Sequence, residues 1–181
     1  MNDKLKIKTS KQKGFTLLLS LLVISIILSV SFGVFDVMTK ELKLSGIGRE
    51  SQISFYAADA GVECAYYWDI KKKIFEKIIN DEASEDIECA NKTITVDIPS
   101  SENSGGVTTY KFEEFSFNMG EGTTQKCAKV KVEKVISEDT DETITTTIIE
   151  SKGYNYFCES TSPHKVERAI RVISTKTEKA E

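Results

Sequence analysis

The sequence predicts an α+β chain: a long N-terminal α-helix, its first half suited to a membrane and its second half amphipathic, packed against a C-terminal antiparallel β-sheet head. Three observations carry this. Phe15 to Phe35 is an uncharged run of 21 residues; Asp36 to about Ile70 is proline-free and helix-compatible; and segments rich in β-branched residues recur after residue 93. The resulting divisions are 1–14, 15–35, 36–70 and 71–181. With 40% apolar and 29% charged residues among 181, a wholly disordered chain is excluded. The net charge of -4 argues against nucleic acid as a main partner, and a single His argues against a histidine-based metal centre or catalytic dyad.

Residues 1–14 hold Lys4, Lys6, Lys8, Lys11 and Lys13 against one acid, Asp3. The run that follows, FTLLLSLLVISIILSVSFGVF, is apolar all round, and as a helix it reaches about 30 Å, the thickness of a bilayer's hydrocarbon core. Ser20, Ser25, Ser29 and Ser31 are compatible with it because a helical serine bonds back to the preceding turn. Five lysines precede the span, whereas Asp36, Lys40, Glu41 and Lys43 cancel after it, so the N-terminus is expected in the cytoplasm and the body outside. Without the leader the chain carries 19 Lys and Arg against 27 Asp and Glu, a net of -8. Ser29-Val30-Ser31 has the small-x-small form of a secretory cleavage site, which would leave Phe32 first. Against that reading, a signal h-region runs only about 7–15 residues and no helix breaker precedes this site.

At the junction the leader ends in Lys13-Gly14 and the apolar run opens Phe15-Thr16-Leu17-Leu18. Here the sequence resembles the class III signal of type IV prepilins and pseudopilins. The resemblance implies cleavage between Gly14 and Phe15 by a prepilin peptidase, N-methylation of the Phe15 amine, and assembly with other pilins after residence in membrane lipid. The family's fifth mature residue is usually glutamate, thought to pair with a neighbouring subunit's amine; here it is Leu19. An ionised acid in hydrocarbon needs such a partner, so its absence points to a minor pilin or pseudopilin of low copy number, with the filament tip as one place for it. Ser54-Phe55-Tyr56-Ala57-Ala58-Asp59-Ala60-Gly61-Val62-Glu63 also resembles the segment marking minor pilins of the PilX type. The two resemblances span roughly residues 10 to 65.

Beyond the membrane run, Ile53, Ala57, Ala60, Gly61, Cys64 and Trp68 recur at spacings of three and four and predict the stripe that meets the sheet. Gly46-Ile47-Gly48 is a candidate bend, since two glycines disfavour a helix by about 2 kcal/mol relative to alanine; a break between two helices is the other reading. Residues 71–93 read as charged and irregular around a short helix bearing Ile74, Phe75, Ile78 and Ile79. Strands are expected around Ile94–Ile98, over Val107–Phe117 with a bulge or face change at Glu113-Glu114, along Lys129–Glu133, over Thr143–Ile149, and over Val166–Ser174. PSSENSGG (99–106) reads as a turn and SEDTDE (137–142) as a hairpin connection. That makes about five strands.

Cys64, Cys89, Cys127 and Cys158 favour two disulfides in an oxidising compartment, with three connectivities open. Cys64–Cys89 and Cys127–Cys158 are preferred, because folding the hairpin about Asp139-Thr140 sets Cys127 opposite Lys152, near Cys158. Free thiols are the rival reading; zinc is disfavoured without a CxxC. The acidic tip Glu138–Glu142 lacks the glycine of a Ca²⁺ loop. Lys126, Lys129, Lys131 and Lys134 read as a solvated strand face, Asn91-Lys92-Thr93 matches a glycosylation sequon, and His164 stands without a nucleophile. No cofactor or catalytic group is expected. The expected role is that of a minor pilus or pseudopilus subunit, in the inner membrane and then at the cell surface. The alternative is an uncleaved, single-pass anchored binding module.

Overall fold

The structure, a computed structural model, describes residues 13–122, 125–138 and 142–179. The leader lysines Lys4, Lys6, Lys8 and Lys11 and the hairpin-tip residues Asp139, Thr140 and Asp141 lie outside these. The chain divides into two compact units, with the boundary between Gly46 and Ile47. A single helix, α1 (Lys13–Ile70), runs through that boundary for 58 residues. Gly46 and Gly48 therefore do not break the helix, although the change of unit falls between them. In the first unit the described residues are all helical.

Among the described residues the second unit holds the rest of α1, a short helix α2 (Ile74–Asp81) and eight strands. Lys73, with a left-handed φ of 52°, turns the chain between the helices. Phe75 and Ile78 of α2 are buried, and Ile74 and Ile79 pack beside them, the amphipathic face that its sequence predicts. The acidic stretch after it is not irregular: β1 (Glu85–Cys89) pairs with β2 (Lys92–Val96) as a separate hairpin. Ala90 and Asn91 both take positive φ in its two-residue turn, which matches the right-handed strand twist. Acids obscured β1 because only Ile87 and Cys89 face inward.

The main sheet has the order β3-β4-β6-β7-β8, with β5 also paired to β6. Its strands are β3 (Ser100–Ser104), β4 (Val107–Lys111), β5 (Phe115–Met119), β6 (Lys126–Glu138), β7 (Glu142–Tyr154) and β8 (Glu167–Lys179). All its pairings are antiparallel. Most of the expected turn at 99–106 is β3, a fully exposed edge strand whose side chains bury nothing and so leave no hydrophobic signal. Only Gly105 and Gly106 form the turn, both at positive φ.

The bulge expected near Glu113-Glu114 is present. Lys111 faces Glu133 and Phe115 faces Val130, so four steps on one strand match three on the other. The extra residue lets Phe112 and Phe115, of opposite parity, both point into the core. There they meet Phe117, Val130, Val132 and Ile149 from the sheet, and Phe75, Ile78, Ile87 and Val96 from above it. The Phe75 and Phe112 rings pack edge to face with centroids 4.9 Å apart.

The sheet meets α1 along Ser54, Ala57, Ala58, Gly61, Val62, Ala65 and Asp69. This stripe is rotated from the expected one: Ala57 and Gly61 belong to it, but Ile53, Ala60, Cys64 and Trp68 form its half-buried flank. Apolarity misplaced the stripe because two of its members are polar and satisfied internally. Ser54 Oγ donates 2.8 Å to the Val166 carbonyl and lies 2.9 Å from the Glu50 carbonyl, and Asp69 is ion-paired with Lys134. A Cβ on Gly153 would lie 2.8 Å from the Ala57 carbonyl carbon, and closer still to the Ala58 nitrogen and the Ser54 oxygen.

Candidate assembly helix and the head surface

The sequence and structure agree on the main candidate site: the first half of α1. Gly14 is helical, and Phe15, which opens the uncharged run, is 71% exposed. From there to Phe35 every large apolar side chain is exposed, Leu19 among them. The most apolar window has a mean hydropathy of 2.7 and no buried residue, so this is a helix long and apolar enough to cross a membrane. Burial of such a surface is favourable by about 25 cal/mol per Å², so water is a poor solvent for it.

The four serines add no free polar group. Ser20 donates to the Leu17 carbonyl at 2.8 Å, Ser25 to Leu22 at 2.7 Å, Ser29 to Ser25 at 2.9 Å and Ser31 to Ile27 at 2.8 Å. Helix continues through Ser29, Ser31 and Phe32. The first charged pair after the run, Asp36 and Lys40, closes an i,i+4 ion pair at 2.9 Å.

The head is cross-braced. Cys64 is bonded to Cys89, with Cα atoms 5.9 Å apart, joining α1 to β1. Cys127 is bonded to Cys158 across 4.9 Å, joining β6 to the loop after β7. Among the described residues no cysteine is free. In the hairpin register Cys127 faces Tyr154, two positions beyond Lys152. Disulfides of this kind belong to oxidising, extracytoplasmic compartments.

Asn155 organises the loop between β7 and β8, a role that no local pattern signals. Its Nδ2 donates to Glu50 Oε2 at 2.7 Å and to the His164 carbonyl at 3.1 Å, while its Oδ1 accepts from Val166 N at 2.7 Å. His164 thus enters through its backbone, and its side chain is exposed. Tyr154 donates to Glu167 Oε2 at 2.5 Å and lies under Lys165 Nζ, 4.4 Å from the ring centroid. Burial, first, and then the Glu167 carboxylate push its phenol well above the ordinary tyrosine range.

The basic strand divides. Lys131 is exposed, and Lys126 and Lys129 are partly so, with Lys129 3.8 Å from Glu114 and Lys131 3.1 Å from Glu133. Lys134 does not share the face of Lys129 and Lys131. It has the parity of Val130 and Val132, is only 6% exposed, and binds the equally buried Asp69 at 2.7 Å. Beside this pair lies a cleft of about 340 Å³ with mixed walls, Thr143, Thr145 and Lys176 among the polar ones and Ile70, Ile79 and Ile136 among the apolar. Among the described residues no three His, Cys, Asp or Glu side chains form a metal-binding group. Asn91, of the sequon, is exposed at the β1–β2 turn.

Comparison of the chain with protein-family models, with curated proteins and with solved structures finds no match. The architecture itself, a long apolar N-terminal helix followed by an antiparallel sheet head, is consistent with a pilin-like fold.

Proposed function

We propose that this chain is a minor structural subunit of a type IV pilus or pseudopilus. A prepilin peptidase removes residues 1–14 by cutting after Gly14, the Phe15 amine is methylated, and the subunit leaves the inner membrane to join other pilins at or near the filament tip. The observation that carries the reading is the Phe15–Phe35 surface, apolar on every side and uncovered within the chain. Lipid before assembly and like helices after it would both cover that surface. Leu19, lacking a carboxylate, removes the electrostatic partner that a major subunit offers its neighbour, which supports low copy number. The role is packing rather than catalysis, and the two disulfides fit a head that stands outside the cytoplasm.

The test is the N-terminal residue and intact mass of the protein from its native membrane fraction. The expected chain begins at methylated Phe15, and Gly14→Val leaves a retained leader and no filament incorporation. A chain beginning at Phe32 or an intact Met1 overturns the proposal, as does normal incorporation of Gly14→Val.

A further inference from the structure

The two edges of the main sheet differ. β3 is five residues long, and short edges are poor templates for another strand. β8 runs for 13 residues without proline, is paired on one side only, and has mostly exposed side chains. An unpaired edge of that length presents a row of backbone donors and acceptors. Charge on an edge normally keeps other strands away, so the arrangement of charge decides whether β8 is guarded or addressed.

On β8 the arrangement is antisymmetric about its centre, Ile173. Glu167 and Arg168 stand at one end, Glu178 and Lys179 at the other. When two copies of the strand pair antiparallel over their full length, Ile173 faces itself, Glu167 faces Lys179 and Arg168 faces Glu178. The two-fold symmetry makes each of those ion pairs twice. This register is also one the backbone permits, because identical antiparallel strands must place residues of like parity opposite each other for outward N–H and C=O groups to meet. Of the two neighbouring permitted registers, the one centred on Val172 sets Arg168 against Lys176 and the one centred on Ser174 makes no ion pair among the described residues, while a parallel in-register pairing sets every charge against its own copy. Ile173, 60% exposed, lies at the symmetric centre.

We propose that β8 is the pairing edge for a second copy of this chain, joined in the register centred on Ile173 to make one continuous sheet. The two-fold axis of such a pair is perpendicular to the sheet. The part of α1 lying on the inner sheet face is therefore reversed between the two heads. This inference rests on the head alone and stands or falls independently of leader cleavage.

The test uses the full-length chain in detergent micelles, where orientation is free. With no free native thiol among the described residues, Ile173→Cys treated with a short bis-maleimide is expected to give a species of twice the mass. Ile148→Cys, on the adjacent strand β7, is expected to give none, because its copies lie three strand spacings apart, about 14 Å. Arg168→Glu should weaken the dimer about tenfold by replacing two attractive cross-strand pairs with repulsive ones, and adding Glu178→Arg should restore it. Rescue by the second substitution distinguishes lost pairing from lost folding. The proposal is overturned if Ile173→Cys stays monomeric, which would make the edge charges purely protective. Equal cross-linking of Ile148→Cys, or a double swap that fails to rescue, overturns it as well.

Discussion

The two halves of α1 share one backbone geometry and differ in everything else. From Phe15 to Phe35 the large side chains are apolar and exposed on every side, and the polar groups bond only to their own helix. From Glu50 to Ile70 one face is built of small or polar residues and disappears under a sheet, while Phe55, Tyr56, Tyr66 and Tyr67 stay exposed on the others. Bulk marks the exposed faces of α1, and smallness marks the face that packs under the sheet. Close packing at Gly61 and Gly153 leaves no space for a side chain, so this contact depends on fit rather than on apolar area.

The contrast is broken most severely at Gly153. Gly153→Val forces a side chain into the Ser54–Ala58 backbone, and the head is expected to lose about 4 kcal/mol or more; thermal unfolding of the full chain in detergent, or failure to accumulate, reads this out. Next is the buried pair. Asp69→Ala leaves the Lys134 ammonium in the core without its partner, at a loss of about 3–5 kcal/mol, whereas the double change Asp69→Leu, Lys134→Met is expected near neutral. A denaturant midpoint that moves equally for both variants would mean the pair matters for shape rather than charge.

Replacing Cys127 and Cys158 together by serine should remove about 3 kcal/mol by freeing a loop of 31 residues in the unfolded chain. A pH titration sharpens the comparison more gently. Because folding raises the Tyr154 phenol above its ordinary value of 10.0, the folded state holds that proton more tightly. Its contribution is complete below pH 10 and fades as the pH rises beyond it; Tyr154→Phe should flatten the alkaline limb of the unfolding curve. The smallest effect belongs to the first half of the helix. Ile24→Ala should shift head unfolding by less than about 0.5 kcal/mol, and even Ile24→Lys, which disfavours membrane insertion by about 2.5–3.5 kcal/mol, should leave it unchanged.

Legibility followed chemistry. The membrane-length run and its serines could be read directly, because a charge-free stretch has few structural meanings. α2, β2, the Glu113-Glu114 bulge and five of the main-sheet strands also showed in their side-chain patterns, though β6, β7 and β8 extend well past the segments that signalled them. β1 was hidden by its acids and β3 by having no buried residue at all. Lys134 was misassigned because a lysine on an alternating strand normally marks water, and only Asp69, 65 positions earlier, changes that. Asn155 gave no signal, since its three partners are brought together by the fold.

By itself the sequence determined where a helix long and apolar enough to cross a membrane runs and that a sheet head follows, because those depend on the character of contiguous residues. The tertiary structure alone decided which face of α1 is buried, the strand order, the hairpin register and the unpaired β8 edge. Each of those depends on which distant backbone comes within a hydrogen bond or a van der Waals radius, and local hydrophobicity carries no record of that.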